Sequence, residues 1–137
     1  MKGNPRNFRK FLKFSFVERE GEFPKSFVSQ SEAAGLCRSA DKRLCTIQEW
    51  QTVCHGPENL KYPYGNSYDE NFCPAKEKKI QRTGRYPVCR SYYGVFDMSG
   101  NLWEWTSTLA EVKEGHFWVA GGNWESGNQA VCSERKY

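Results

Sequence analysis

Two carboxylates seven positions apart, Asp97 and Glu104, bracket the stretch of this chain best equipped for chemistry. The run is Gly94-Val95-Phe96-Asp97-Met98-Ser99-Gly100-Asn101-Leu102-Trp103-Glu104-Trp105-Thr106, and Ala120-Gly121-Gly122-Asn123-Trp124 follows after a short gap. Asp, Ser, Gly and Asn each favour turns, through side-chain bonds to nearby amides or tolerance of positive φ. The expected form is a strand entry at Phe96, a tight polar turn over 97–101 and a strand exit through Leu102, Trp103 and Trp105. Such a turn offers the Asp97 carboxylate and several carbonyls, an oxygen-rich set that suits a hard cation such as calcium. The same residue types also make a plain hairpin. Glu104, between two tryptophans, then stands at the surface or is held by a partner.

Cysteine is the second source of chemistry. Cys37, Cys45, Cys54, Cys73, Cys89 and Cys132 make an even set in a small chain, which points to disulfides and an oxidising compartment. Six cysteines allow fifteen pairings, so the sequence leaves the connectivity open. Zinc ranks below disulfides because no C-x-x-C pair occurs. The two histidines, His55 and His116, read as surface or partly buried side chains rather than ligands. No phosphate loop, nucleophile elbow or catalytic-triad spacing is present. The basic start of the chain lacks the apolar segment of a signal peptide. The cysteines therefore fit a piece of a longer exported chain, secreted or periplasmic, better than a cytosolic protein with reduced thiols.

The elements that must hold these residues are few. A length of 137 residues suits one domain with one core, and an aromatic content of 15%, with five Trp, supplies its bulk. A net charge of +4 without a basic-aromatic stripe argues against nucleic acid. No apolar run approaches a membrane span. Residues 1–26 read as an N-terminal tail or added strand, with Phe14–Val17 as a short strand and Gly21–Pro24 as a turn. Ser29-Gln30-Ser31-Glu32 has the form of a capping box, and Ala33, Leu36, Cys37 and Ala40 follow at helical spacing with Cys37 inward. Thr46-Ile47-Gln48-Glu49 is a second box. Its helix places Ile47, Trp50, Val53 and Cys54 on one face, has Cys45 packing on Trp50, and ends at Gly56. Lys42 and Arg43 between the helices read as solvated. Tyr62 to Asn66 is a packed aromatic loop. Residues 74–88, basic and bracketed by Cys73 and Cys89, read as a solvated surface loop stapled at its base. His116 to Ala120 reads as a strand.

Taken in order, Ala33-Ala34-Gly35-Leu36-Cys37, Lys42-Arg43-Leu44-Cys45-Thr46 with Glu49-Trp50, Tyr62-Pro63-Tyr64-Gly65-Asn66, the 94–106 stretch and Gly121-Gly122-Asn123-Trp124 resemble the formylglycine-generating enzyme family, also called sulfatase-modifying factor proteins. The resemblance covers residues 27–137, with the C-terminal end of the family domain apparently missing. It implies an α+β, C-type-lectin-like fold: two helices, small antiparallel sheets, much irregular loop and disulfide staples. It further implies a calcium site in which Asp97 and Glu104 give carboxylate oxygens and Gly100 and Leu102 main-chain carbonyls. A second family calcium site is matched only by Asn71 and Phe72 and is not carried over. By the same resemblance Cys54 pairs with Cys132, and Cys73 with Cys89 is the second favoured bridge. Cys37, whose family partner lies in a closing segment absent here, is left with Cys45 to pair or to stay reduced.

Catalytic members oxidise a substrate cysteine to formylglycine with oxygen and a copper ion on two thiolates, a soft ligand pair suited to Cu(I). The matching positions here are Ser126 and Val131, so copper is not expected and no catalytic residue is assigned. Related sulfoxide synthases use iron on three histidines, more than this chain has. The expectation is a calcium-stabilised, non-catalytic recognition or structural module for a protein or glycan partner. Its contact loop runs from Asn123 to Gln129 and includes Asn123, Trp124 and Ser126; Trp124 is a candidate anchor there, although core packing is the favoured reading of its side chain. Variable ligand-binding proteins of diversity-generating retroelements share this architecture. The alternative is a fragment or divergent form of a formylglycine-generating oxidoreductase.

Overall fold

The computed structural model describes residues 20–137. Residues 1–19, which hold most of the expected tail and the strand expected over Phe14–Val17, lie outside the described residues. Both capping boxes initiate helices. Helix α1, Gln30–Ser39, starts where the Ser29 hydroxyl accepts from the Glu32 N–H while the Glu32 carboxylate accepts from the Ser29 N–H at 2.7 Å. Helix α2, Ile47–His55, repeats this with Thr46 and Glu49 and ends at Gly56, whose φ of 66° is open to glycine at little cost.

Three short strands, β1 (Glu104–Leu109), β2 (Phe117–Ala120) and β3 (Arg135–Lys136), form one antiparallel sheet in that order. Glu104 pairs with Ala120 and Trp105 with Val119, and an irregularity then shifts the register so that Leu109 meets Phe117. The buried face of α2 packs on this sheet and on Met98, so Cys45, Ile47, Trp50, Val53, Cys54, Met98, Ala120 and Cys132 form one apolar cluster. Every side chain expected on the inner face of α2 is in it. Lys42 and Arg43 separate in role: the Arg43 guanidinium forks onto Glu49 with two contacts of 2.8 Å, and the cap glutamate thus serves twice.

Two bridges staple the loops. Cys54 joins Cys132 with Cα atoms 5.5 Å apart, and Cys73 joins Cys89 at 4.8 Å. Cys37 and Cys45 are both buried, and neither is disulfide-bonded.

The central stretch departs from a hairpin. Phe96 makes an isolated bridge with Arg90, and the strand that follows the turn starts at Glu104 and pairs with β2. Distant segments, rather than the two sides of the turn, satisfy its backbone. The turn is still tight: Asp97, Gly100 and Asn101 have φ of 59°, 81° and 60°. The 74–88 loop is also more than a solvated flap, because it forms the wall against which this turn closes. The Asn101 side chain accepts from the Gln81 N–H at 2.9 Å and donates to the Gln81 carbonyl at 3.1 Å, and the Asn101 N–H donates to the Pro74 carbonyl at 2.7 Å.

Gly100 sits where this closure is tightest. A Cβ there would stand 2.5 Å from the Pro74 carbonyl oxygen, at a φ that L-residues rarely adopt. Gly100→Ala is expected to cost about 2–4 kcal/mol, read as a fall in the denaturant midpoint at unchanged slope. Glu49 supplies a pH test. Its pKa is lowered by the Arg43 hydrogen bond first, against an opposing push from burial. Folding therefore favours the ionised form, and the resulting stability is present above the ordinary value of 4.5 and is lost as pH falls through the lower folded-state pKa. Both partners are well exposed, so the effect is small. The stability gap between the parent and Glu49→Gln should be constant above that value and shrink below it in acid-titrated melts.

Candidate functional site

The site grows from the left-handed turn. Asp97 is almost fully buried because its backbone is pinned, its N–H donating to the Cys89 carbonyl at 3.0 Å. Its Oδ2 accepts from the Gly84 N–H at 3.0 Å, so the stapled loop supplies one partner to this carboxylate. Glu104 opens β1, and its Oε2 accepts from the Trp50 indole N–H at 2.5 Å. The partner held in question by the sequence is thus a core residue of α2. Trp105, the next residue, turns its indole to the Val28 carbonyl at 2.9 Å and ties β1 to the segment before α1.

Asp97, Leu102 and Glu104 line one cavity of about 230 Å³, together with Asn101 and Asn123. Residues 24–28 line it as well. Gly100 is not in the lining; its N–H donates to the Gly121 carbonyl at 2.9 Å, behind the turn. Three of the four residues expected at the calcium site thus reach one space, and the fourth supports it from the turn. Their donors would be oxygens throughout, carboxylate and carbonyl, the chemistry that calcium prefers. Among the described residues no group of three or more His, Cys, Asp or Glu side chains could hold a metal ion, so a cation here would depend on main-chain carbonyls as well as the two carboxylates.

The expected contact loop is locally closed. Asn123 Oδ1 accepts from the Ser126 hydroxyl at 3.0 Å and from the Glu125 N–H at 3.1 Å, while Ser126 Oγ accepts from the Asn123 N–H at 2.8 Å. Trp124 is half-buried and outside the core cluster, contrary to the weight placed on core packing. Its backbone explains this: the N–H donates to the Asn101 carbonyl at 3.0 Å and its carbonyl accepts from the Glu77 N–H at 2.8 Å, which stretches the residue across the junction of turn and loop. Beyond it, the Asn128 carbonyl accepts from the Tyr62 hydroxyl at 2.6 Å.

No thiol stands at Ser126 or Val131, and the neighbouring Cys132 is bridged to Cys54. Burial, with the Glu49 charge next, pushes the Cys45 thiol up to about 12, and burial also raises Cys37. Neither is a thiolate at neutral pH. His55 and His116 each place Nδ1 on a carbonyl, of Leu60 at 2.6 Å and of Glu114 at 3.0 Å. Sequence reasoning missed Asn101, Gln81 and Gly84 as the residues that position the turn. The one local signal was an Asn following Gly in a turn, a residue type that tolerates left-handed backbone.

The model of the sulfatase-modifying factor enzyme 1-like domain matches residues 2–136. Among curated relatives, inactive C-alpha-formylglycine-generating enzyme 2 of Bos taurus is 29% identical over 124 residues, 80% of this chain and 41% of that protein. The formylglycine-generating enzyme of Bos taurus is 31% identical over 108 residues, 68% of this chain and 29% of that protein. The chain thus spans less than half the length of these relatives. Variable protein 1 of Treponema denticola shares the fold, with a TM-score of 0.58 at 23% identity over 69% of this chain and 41% of that one. The chain belongs to the sulfatase-modifying factor enzyme 1-like domain family.

Proposed function

We propose that this domain is a calcium-stabilised, non-catalytic recognition module that presents the 123–129 loop to a protein or glycan partner outside the cytoplasm. The observation that carries the reading is at Ser126. Where catalytic members would place a copper-binding thiolate, this chain has a hydroxyl engaged with Asn123, and Val131 replaces the second thiolate. A hydroxyl and an isopropyl group give a soft monovalent ion nothing to bind. One relative, inactive C-alpha-formylglycine-generating enzyme 2 of Bos taurus, carries a name that agrees in direction. Two disulfides fit an oxidising compartment. Among the described residues no helix is long and apolar enough to cross a membrane.

In this reading Asp97 and Glu104 would hold calcium with the Leu102 carbonyl and with that of Gly100, which stands in the same turn just outside the cavity lining. The ion supplies charge neutralisation and rigidity, while the chain's own hydrogen bonds orient the ligands. Gly84 steadies one carboxylate and Trp50 the other. An ion bound to the folded state alone raises stability by about 2.7 kcal/mol when its concentration is a hundred times Kd. Chelation with EDTA is therefore expected to lower Tm by several degrees, with calcium restoring it. Asp97→Asn should remove the response to calcium. A Tm indifferent to both ion and chelator would defeat the assignment.

The competing reading, a piece or divergent form of a formylglycine-generating oxidoreductase, draws on the relatives that carry that enzyme's name. Titration of the reduced protein with Cu(I), followed by incubation with oxygen and a cysteine-containing peptide, separates the two. The expected outcome is no stoichiometric copper binding and no peptide aldehyde by mass spectrometry.

A further inference from the structure

The cavity that holds Asp97 and Glu104 has one cationic residue in its lining, Lys25. The rest of the lining is apolar, amide or hydroxyl in character. A lysine is out of place beside a metal site. Its ammonium donates hydrogen bonds and accepts none, so it cannot ligate a cation, and it repels one that binds nearby.

Lys25 is carried by a strap tied at both ends. At its start the Gly21 N–H donates to the Thr83 carbonyl at 2.9 Å, and the Glu22 carbonyl accepts from the Thr83 N–H at 2.8 Å. At its end the Val28 carbonyl accepts from the Trp105 indole N–H at 2.9 Å. Both ties lead to the site, since Gly84, next to Thr83, donates to Asp97, and Trp105 follows Glu104. Between them Pro24 is buried, whereas Lys25 and Phe27 are exposed. Phe27 bends the strap with a φ of 56°, a conformation that an aromatic residue seldom adopts. The ties keep the base of Lys25 beside the cavity whichever way its flexible four-carbon stem points.

Two sets of acids attract its ammonium. At the start of α1, Glu32 has its pKa lowered by the Ser29 backbone N–H first and, in least part, by the charge of Lys25. In the cavity, the Gly84 amide and the Trp50 indole orient the carboxylates of Asp97 and Glu104 but bring no positive charge of their own. With no ion bound, the ammonium offsets part of the negative charge of that pair. Once a divalent ion enters, the same ammonium faces it across the cavity. Lys25 therefore favours the ion-free state and opposes the ion-bound one. We propose that Lys25 is a built-in competitor of the cation, a residue that ligates nothing and sets how tightly the cavity binds calcium. This role rests on the calcium site proposed above.

The test compares the full chain with Lys25→Met and Lys25→Glu, both changes at an exposed side chain outside the core. Calcium Kd is measured by calorimetry and by displacement of terbium, whose luminescence Trp103 and Trp105 in the lining can sensitise. At low salt Lys25→Met should bind calcium about three- to tenfold more tightly than the parent, and Lys25→Glu more tightly again. In 1 M potassium chloride the gap between the parent and Lys25→Met should shrink, because salt screens exposed charges. In EDTA the sign should reverse. There Lys25→Met should melt below the parent, and by less on an Asp97→Asn background. Equal calcium affinity of the parent and Lys25→Met overturns the proposal, as does a gap undiminished by salt or weaker binding by Lys25→Glu. Calcium bound at one affinity by all three chains overturns this role alone. If none of the three binds calcium or terbium, the calcium site falls and the role of Lys25 falls with it.

Discussion

Three stretches of chain far apart in sequence meet at Asn101. Its carboxamide pairs with both backbone groups of Gln81, its N–H donates to the Pro74 carbonyl, and its own carbonyl accepts from the Trp124 N–H. The residue is buried, so each bond is made where water cannot replace it, and an orphaned partner would cost roughly 1–3 kcal/mol. A single amide thereby does for an irregular loop what a ladder of strand pairs does for a sheet. Asn101 holds this junction from a left-handed backbone, with its side chain and N–H turned to the 74–88 loop and its carbonyl to Trp124.

That junction sets the electrostatic character of the turn. Fixing Asn101 and Gly100 fixes the entry of Asp97 and the exit toward Glu104, and both carboxylates then line one small cavity. Each is anchored by an N–H from a different part of the fold: the Gly84 amide of the stapled loop, and the Trp50 indole of the core helix. Trp50 is fully buried, so the orientation of Glu104 depends on the packing of α2 against the sheet. A change in that apolar layer would be felt at the carboxylate as a change of angle.

What could be read in the sequence follows the range of the interaction. The capping boxes of Ser29–Glu32 and Thr46–Glu49 were legible because a cap is settled within four residues. The inner face of α2 was legible because its period is local. The Cys54–Cys132 pairing was reached through family resemblance; spacing alone left fifteen possibilities. The hairpin expected around 96–105 failed because turn-forming residues specify a change of direction and say nothing of which strand lies alongside. The partner of β1 is β2, and that of Phe96 is Arg90. Trp124 was misjudged for a related reason: its hydrophobicity argued for the core, while its backbone bonds hold it at the margin. The role of Gln81 had no signal at all, since it contributes only main-chain atoms to the junction.

The two bridges are nested. The 16-residue span from Cys73 to Cys89 lies wholly within the 78-residue span from Cys54 to Cys132. Loops drawn one inside the other can each close without the chain passing through the other. Closing the inner ring first also shortens the path around the outer one. Either crosslink can therefore be opened alone while the other still keeps the ends of the central turn and its wall within reach. A nick among the exposed lysines of the inner ring would leave both pieces covalently joined, so the wall stays tethered after its own backbone has been cut.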